Sequence, residues 1–193
     1  MSTNVQELKG NWRKGWAIDL HTISSVPLGD NQFDTTRTEV GELLYQVKYQ
    51  QDVSRIEELV NIICDFMKTR LVTPYLAAIL PVPPSDTTRP FQPVQLLAER
   101  VGDRLKIPVL VDYLIKNKST QALKNLEDAE SRKRELGGVF SVKDKSLCDK
   151  KVLLFDDLYR SGETLTEITD VLYNQGKVQN VYVLTITKTR VNR

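Results

Sequence analysis

The sequence is poor in the residues that build metal sites and disulfide frameworks. Its 193 residues include one histidine, His21, and two cysteines, Cys64 and Cys148, which stand far apart and form no Cys-x-x-Cys pair. A single histidine excludes the His-Glu-x-x-His motif of zinc peptidases. Two distant cysteines argue against a structural zinc site or a set of disulfides. We therefore expect a chain that folds on its hydrophobic core alone.

The sequence also lacks an excess of one charge and long hydrophobic runs. It has 27 Lys and Arg against 25 Asp and Glu, a net charge of +2, which does not favour a surface built to bind nucleic acid. No stretch approaches the roughly 18 apolar residues of a membrane span, and the first 20 residues lack the apolar core of a signal peptide. We expect a cytoplasmic protein that binds neither nucleic acid nor membrane. The length favours a single domain over residues 1–193.

From about Leu71 onward, extended apolar segments alternate with amphipathic ones. The predicted strands are 76–82, 108–115, 139–142, 151–155 and 178–187, and the predicted helices are 92–105 and 163–174. Strands separated by helices indicate an α/β fold with a mainly parallel sheet flanked by helices.

The first 70 residues have a different pattern. They predict an extended segment over 16–23, a short helix over 35–46, and a strong helix over 54–68 that Asp52 or Ser54 caps. We expect the segments from about 1–50 and 110–142 to contribute to a small hood or lid beside the sheet.

The most informative stretch is VLLFDDLYRSGETL, residues 152–165. It predicts a buried strand that ends in Asp156 and Asp157, then a polar turn with Gly162, then a helix. Open α/β sheets bind ligands at the carboxyl ends of their strands. The free N–H groups at a helix start bind anions, and glycine lets the backbone approach a ligand closely. The two carboxylates suit sugar hydroxyls or a divalent cation. The alternative is an ordinary capped turn with solvated acids.

This stretch resembles the phosphoribosyl-pyrophosphate (PRPP) signature of the type I phosphoribosyltransferase family. The resemblance implies that fold, PRPP as substrate, and Mg²⁺ bridging the pyrophosphate and the ribose hydroxyls. It also implies that Asp156 and Asp157 are catalytic and hold the ribose hydroxyls. The residues that would bind the 5′-phosphate are Arg160, Ser161, Gly162, Glu163 and Thr164.

Further segments resemble the ComF-like branch of that family, whose members are often described as amidophosphoribosyltransferases. Residues 79–89 (ILPVPPSDTTR) resemble its pyrophosphate loop, and residues 45–49 (YQVKY) its early Leu-Lys-Tyr element. By this resemblance the candidate pyrophosphate ligands are Pro83, Pro84, Ser85, Arg89, Lys48 and Lys118. The zinc finger with which such chains commonly begin is missing here.

One residue of the signature departs from the family and leaves the function open. Arg160 stands where the loop usually carries a small residue, or in purine-salvage relatives an aspartate that assists proton transfer. An arginine stays protonated and cannot take that role. The leading hypothesis is an enzyme that transfers the phosphoribosyl group to a nitrogen-containing acceptor, which the sequence does not identify. The alternative is a PRPP-binding sensor without activity, while a receiver-like phosphoacceptor fits poorly because the acids come late in the chain.

Four other side chains receive interpretations from their sequence context. His21, on an apparent strand, is interpreted as a structural histidine. Trp12 and Trp16 are interpreted as packing residues of the hood or of a dimer contact. Tyr159 either stacks on the sugar or base or packs beneath the loop, and the sequence leaves both open. A homodimer is expected only by analogy with the family.

Overall fold

A computed structural model describes residues 3–29, 32–85, 91–117 and 138–190. The strands are β1 (Gln6–Glu7), β2 (Lys14–Leu20), β3 (Thr22–Gly29), β4 (Gln32–Arg37), β5 (Ala78–Pro81), β6 (Leu114–Lys116), β7 (Phe140–Val142), β8 (Lys151–Tyr159) and β9 (Asn180–Lys188). The helices are α1 (Glu39–Tyr49), α2 (Ile56–Lys68), α3 (Pro93–Leu105) and α4 (Glu163–Asn174). Single 3₁₀ turns precede α2 and β5.

The central sheet has the strand order β1–β2–β9–β8–β5. Its strands β2, β9, β8 and β5 are parallel, and β1 is antiparallel to β2 at one edge. The fold class predicted from the sequence, a mainly parallel sheet flanked by helices, is confirmed. Since β2, β9, β8 and β5 run the same way, their carboxyl ends meet at one edge of the sheet, where such folds bind ligands.

Alternate residues of each strand pack into two cores, one on each face of the sheet. On β8, Leu153 and Phe155 pack against α1, α2 and α3. Val152 and Leu154 pack instead against α4 and against the β6–β7 hairpin. All four side chains are almost completely buried. This alternation fixes which face each later residue of β8 presents.

Most helices and strands predicted from the apolar pattern of a single segment are present in the structure. Helix α4 has the predicted bounds, and α3, β5, β8 and β9 lie within or close to their predicted ranges. Asp52 caps the 3₁₀ turn before α2, because its carboxylate accepts from the N–H of Ser54 at 3.0 Å.

Two predicted elements differ from the structure. The strand predicted over 108–115 is split in two: Val109 forms one parallel bridge with Ile79, and after a turn Leu114 and Ile115 pair with β7 as part of β6. The helix predicted over 35–46 begins later, at Glu39. Residues 35–37 instead pair with β3 as part of β4, and the hydroxyl of Thr38 caps α1 by accepting from the N–H of Gly41 at 2.9 Å.

The first fifty residues form part of the central sheet and also a separate element beside it. Strands β1 and β2 belong to the central sheet, whereas β3 and β4 form a separate two-stranded hairpin. Four large apolar side chains of that hairpin, Ile23, Val26, Leu28 and Phe33, are more than half exposed. No helix in the described part of the chain is long and apolar enough to span a membrane.

Candidate functional site

Two adjacent carboxylates lie at the carboxyl end of β8. Because neighbouring residues of a strand point to opposite faces, Asp157 faces α1 and Asp156 faces the other side of the sheet. The Asp157 carboxylate is almost buried and forms an ion pair with Lys48 Nζ from α1. The N–H of Asp157 donates to Asp156 Oδ1 at 2.8 Å. The pair is therefore held by the helix on one side and by its own backbone on the other.

The electrostatics of the two carboxylates differ. Burial, together with the negative charge of Asp157, raises the pKa of Asp156 to about 8. The N–H of Asp157 and the charge of Lys48 oppose this rise without cancelling it. Asp156 thus holds a proton at neutral pH until a cation or a set of hydroxyl donors stabilises its ionised form.

A cavity of about 240 Å³ opens beside these carboxylates. Residues predicted from the sequence that line it are Lys48, Pro83, Pro84, Ser85, Asp156, Asp157 and Thr164. Lining residues that sequence reasoning missed include Gln92, Val111, Lys116 and Phe140. The cavity brings the end of β8 and the start of α4, which follow each other in the chain, together with the loop after β5, which lies far away in the sequence.

The turn between β8 and α4 depends on Gly162 and Tyr159. Gly162 has a φ of +81°, in the left-handed region that side chains disfavour. A Cβ placed there would lie 2.7–2.9 Å from the hydroxyl oxygen and the nearest ring carbons of Tyr159. Tyr159 therefore packs beneath the loop, and its hydroxyl donates to the Ser161 carbonyl at 3.5 Å. Behind it, the Trp12 ring meets Tyr159 edge-on at 6.5 Å between centroids.

The N–H groups of this turn are available to a ligand. Within the described residues, the N–H groups of Ser161, Gly162 and Thr164 donate to no backbone or side-chain acceptor, and that of Glu163 reaches only Ser161 Oγ at 3.5 Å. Unsatisfied N–H groups at the start of a helix form an anion-binding site. The side chains of Arg160, Ser161 and Glu163 are exposed to solvent.

His21, which follows β2, and Thr187 on β9 form a contact that sequence reasoning did not predict. The N–H of His21 donates to the Lys188 carbonyl at 2.8 Å, which joins the end of β2 to β9. His21 Nδ1 lies 3.2 Å from Thr187 Oγ1, and that hydroxyl donates to the Asp157 carbonyl at 3.4 Å. Partial burial, followed by the positive charge of Arg37, lowers the pKa of His21.

Two predicted ligands, Arg89 and Lys118, lie outside the described residues. Within the described part of the chain, no three His, Cys, Asp or Glu side chains cluster as a metal cage would require. The donor set at the site is the Asp156 and Asp157 pair, and Lys48 already engages one of them.

Comparison with known proteins gives structural matches alone. No protein-family model and no curated protein matches the chain. Among solved structures, it is similar to a glutamine PRPP amidotransferase from B. subtilis, solved with ADP and GMP, at 16% identity and a TM-score of 0.51. That match covers 82% of this chain and 35% of the amidotransferase, so the chain spans about a third of that protein.

Two smaller proteins are also similar in structure. An adenine phosphoribosyltransferase from Trypanosoma brucei, solved with AMP, pyrophosphate and ribose-5-phosphate, matches at 13% identity and a TM-score of 0.45, over 87% of each chain. A hypoxanthine phosphoribosyltransferase from Staphylococcus aureus matches at 17% identity and a TM-score of 0.42, over 69% of this chain and 64% of the other. At such identities the likeness concerns the fold alone, which is that of the type I phosphoribosyltransferases.

Proposed function

We propose that this chain, which has the type I phosphoribosyltransferase fold, binds Mg-PRPP and transfers its phosphoribosyl group to a nitrogen nucleophile with release of pyrophosphate. One observation carries the proposal. The two carboxylates of β8 and Thr164 of the following helix line the same cavity, at the edge where the loop N–H groups are free.

Each part of the substrate has a matching part of the site. Asp156 and Asp157 offer carboxylate acceptors to the ribose hydroxyls, and the turn at 161–164 offers N–H donors to the 5′-phosphate. The loop at 83–85 forms another wall of the cavity, and the pyrophosphate would lie against it. Lys48 lies at the same cavity and adds positive charge, while Arg89 and Lys118 stay candidate pyrophosphate ligands from the sequence alone.

The residues at the site fit a metal ion that arrives with the substrate. Two carboxylates, one of them paired with Lys48, are too few for a protein cage, whereas Mg²⁺ is commonly held by substrate phosphates and one or two carboxylates. When bound, Mg²⁺ neutralises charge on the pyrophosphate leaving group. Ionisation of Asp156 is favoured by the same positive charge, because its high pKa arises from burial and from a like charge.

The chemistry requires positioning and charge stabilisation more than covalent catalysis. The bond from the ribose C1 to the pyrophosphate oxygen breaks, and its electron pair leaves on pyrophosphate. The nitrogen lone pair forms the new bond to C1, and the nucleophile loses a proton. A site that holds both ends of PRPP keeps C1 fixed as positive charge develops on the sugar. The ComF-like resemblance is consistent with the placement of residues 45–49 on α1, which carries Lys48 to the site.

A specific observation also favours a sensor without activity as the second candidate. Arg160 is exposed beside the loop and cannot accept a proton. A protein that keeps the PRPP site and lacks transfer would bind the substrate and release nothing.

Titration calorimetry with Mg-PRPP tests the binding step. We expect binding by the wild type and strongly weakened binding by Asp157→Asn, which loses hydrogen bonds between a charged acceptor and the sugar worth about 1.5–3 kcal/mol. Gly162→Val should also weaken binding, by blocking backbone approach. Exposed Asp103→Asn on α3 is the control. Unchanged affinity in both site variants would contradict the assignment.

Release of pyrophosphate separates the two candidate functions. Wild-type protein is incubated with Mg-PRPP and, in turn, ammonia and the purine and pyrimidine bases. Release that depends on one of these acceptors supports the transferase. Binding without release across the panel supports the sensor.

A further inference from the structure

The β3–β4 hairpin exposes more large apolar side chains than any other described element. Eleven such side chains are exposed in the described part of the chain, and four of them belong to the 8 residues of β3 and the 6 residues of β4. These four, Ile23, Val26, Leu28 and Phe33, are 56–67% exposed. Single exposed apolar residues are ordinary, whereas a concentration of them on one element marks an interaction surface.

The hairpin has no core of its own. β3 pairs with β4 in a sheet that is separate from the central one, and none of its described side chains is buried. Its root is held by Arg37, which lies 3.4 Å from the Glu42 carboxylate and 3.7 Å above the centre of the Tyr45 ring on α1. An isolated two-stranded hairpin is at best marginally stable in water. The part beyond the root therefore needs a surface that covers it.

Both faces of the hairpin carry exposed apolar side chains. Paired residues of an antiparallel sheet lie on the same face, and neighbours along a strand lie on opposite faces. Val26 pairs with Asp34, so these two share one face. Phe33 is the neighbour of Asp34 and lies on the other face with Thr35. A hairpin that packed on the body of its own chain would have an apolar pattern on one face only.

The charge of the hairpin argues against two classes of partner. Residues 22–36 contain the acids Asp30 and Asp34 and neither lysine nor arginine. Nucleic acid and anionic membrane surfaces are both bound through clusters of basic residues. An apolar surface without cations is suited instead to the apolar surface of a protein.

The size of the hairpin favours a second copy of this chain over a foreign protein. Stable interfaces take about 800 Å² and roughly 20–30 residues from each partner. On that scale the 14 residues of β3 and β4 correspond to about 500 Å², which suits only a transient contact. In a two-fold dimer the contact is reciprocal, because each copy gives one hairpin and receives the other. Each copy then contributes about 1,000 Å², which is enough for a stable interface.

We propose that the β3–β4 hairpin is a dimerisation arm, which inserts into a second copy of this chain so that both of its faces are covered, while the arm of the second copy inserts reciprocally. Phe33 anchors one face of the arm and Val26 the other. The arm follows β2 and leads into α1, the helix that carries Lys48 to the site. The proposal concerns assembly and does not depend on the reaction that the site performs.

Sedimentation velocity of the wild-type chain tests the oligomeric state. Because a reciprocal interface has the area of a stable one, we expect a species of twice the 22.0 kDa chain mass at roughly micromolar concentrations and above. Hydrogen exchange gives a second measurement, since the amides of residues 22–29 and 32–37 should exchange more slowly in the dimer than in diluted monomer. A wild type that stays monomeric at about 100 µM overturns the proposal.

Substitutions on the two faces test the insertion of the arm. Phe33→Ser and Val26→Ser should each raise the dissociation constant of the dimer by about tenfold or more, because each removes an apolar side chain from a covered face. Both side chains are exposed in the single chain, so neither substitution removes packing within it. Leu71→Ser, at a position that is 92% exposed after α2, is the control and should leave the dimer unchanged.

The remaining outcomes assign the hairpin to another role or leave the proposal intact. A dimer that persists in both arm variants uses a different surface, and a loss confined to one face shows face-to-face packing; either result overturns the arm. A monomeric wild type that binds phosphatidylserine vesicles through Phe33 overturns it as well. A dimer that fails to bind Mg-PRPP in calorimetry overturns the proposed function and leaves the arm standing.

Discussion

Lys48 and Asp157 form an ion pair between α1 and the end of β8, with only 22% and 9% of their side chains exposed. The pair joins a helix to a strand at the point where the substrate is expected. Because both charges are largely removed from water, each depends on the other to offset its desolvation. The same contact therefore contributes to stability and to the shape of the site.

Replacing Lys48 should destabilise the protein more than replacing an exposed lysine. Lys48→Met leaves the Asp157 carboxylate almost buried and unpaired, and we expect a loss of about 2–3 kcal/mol in the free energy of unfolding, somewhat below the cost in a fully buried pair. Urea unfolding measures it. Lys68→Met, which breaks an exposed pair with Asp65 at 3.0 Å, should cost less than about 1 kcal/mol. Equal losses in the two variants would contradict the prediction.

Gly162 should tolerate no side chain, for two separable reasons. Gly162→Ala combines a left-handed backbone, which costs about 1–2 kcal/mol, with a contact of 2.7 Å to the Tyr159 hydroxyl oxygen. We expect a less stable loop and weaker Mg-PRPP binding by calorimetry. Gly138→Ala is the matched control, since Gly138 has a φ of +90° with nothing within 4 Å of its Cβ position. If both variants lose the same stability, the contact with Tyr159 contributes nothing.

Asp156 should make the protein less stable as the pH rises. Its pKa is raised from 3.8 to about 8, so the folded protein holds a proton that the unfolded chain has released. The resulting stabilisation is complete below the ordinary pKa and is lost as the pH rises through about 8. Asp156→Asn should therefore gain stability over the wild type between pH 5 and pH 9, roughly the range that spans this loss. Thermal unfolding at several pH values measures the difference, which Asp103→Asn should not show.

Gly41 should reverse the usual preference for alanine in helices. Alanine normally stabilises a helix by about 1 kcal/mol over glycine, but a Cβ at Gly41 would lie 2.1 Å from the His21 carbonyl. Gly41→Ala should move α1 away from β2 and lower the free energy of unfolding by about 1–3 kcal/mol. Glu39→Ala, in the first turn of the same helix, is the comparison in chemical denaturation. A stabilised Gly41→Ala protein would show that α1 adjusts without strain.

The elements predictable from sequence were those whose pattern is complete within one segment. Helix α4 has its apolar spacing and its glycine within residues 162–174, and the strand before it is a continuous apolar run. The segment 108–115 is equally apolar, yet it meets the central sheet only where Val109 bridges Ile79, and its last two residues pair with β7 in a separate hairpin. Whether an apolar run becomes a strand depends on a neighbour that offers free backbone groups, and a local pattern does not contain that neighbour.

The same distinction applies to the site. Asp156, Asp157 and Thr164 lie in one short motif, so the sequence could place them together. His21 and Thr187 are 166 residues apart and meet only through the pairing of β2 with β9. Nothing in the local sequence distinguishes Thr187 from the other threonines of the same predicted strand. Their relationship follows from strand register, which a single sequence leaves undetermined.

Thr187 lies opposite Leu158 on β8 and opposite Asp19 on β2. A one-residue insertion in β9 before this position would turn the hydroxyl to the opposite face of the sheet and uncouple the histidine from the aspartate pair, even with every signature residue intact. An insertion after Lys188 would leave the coupling unchanged. Homologues that keep the motif but differ in the length of their last strand would then keep the aspartate pair and lose the contact that joins this histidine to the end of β8.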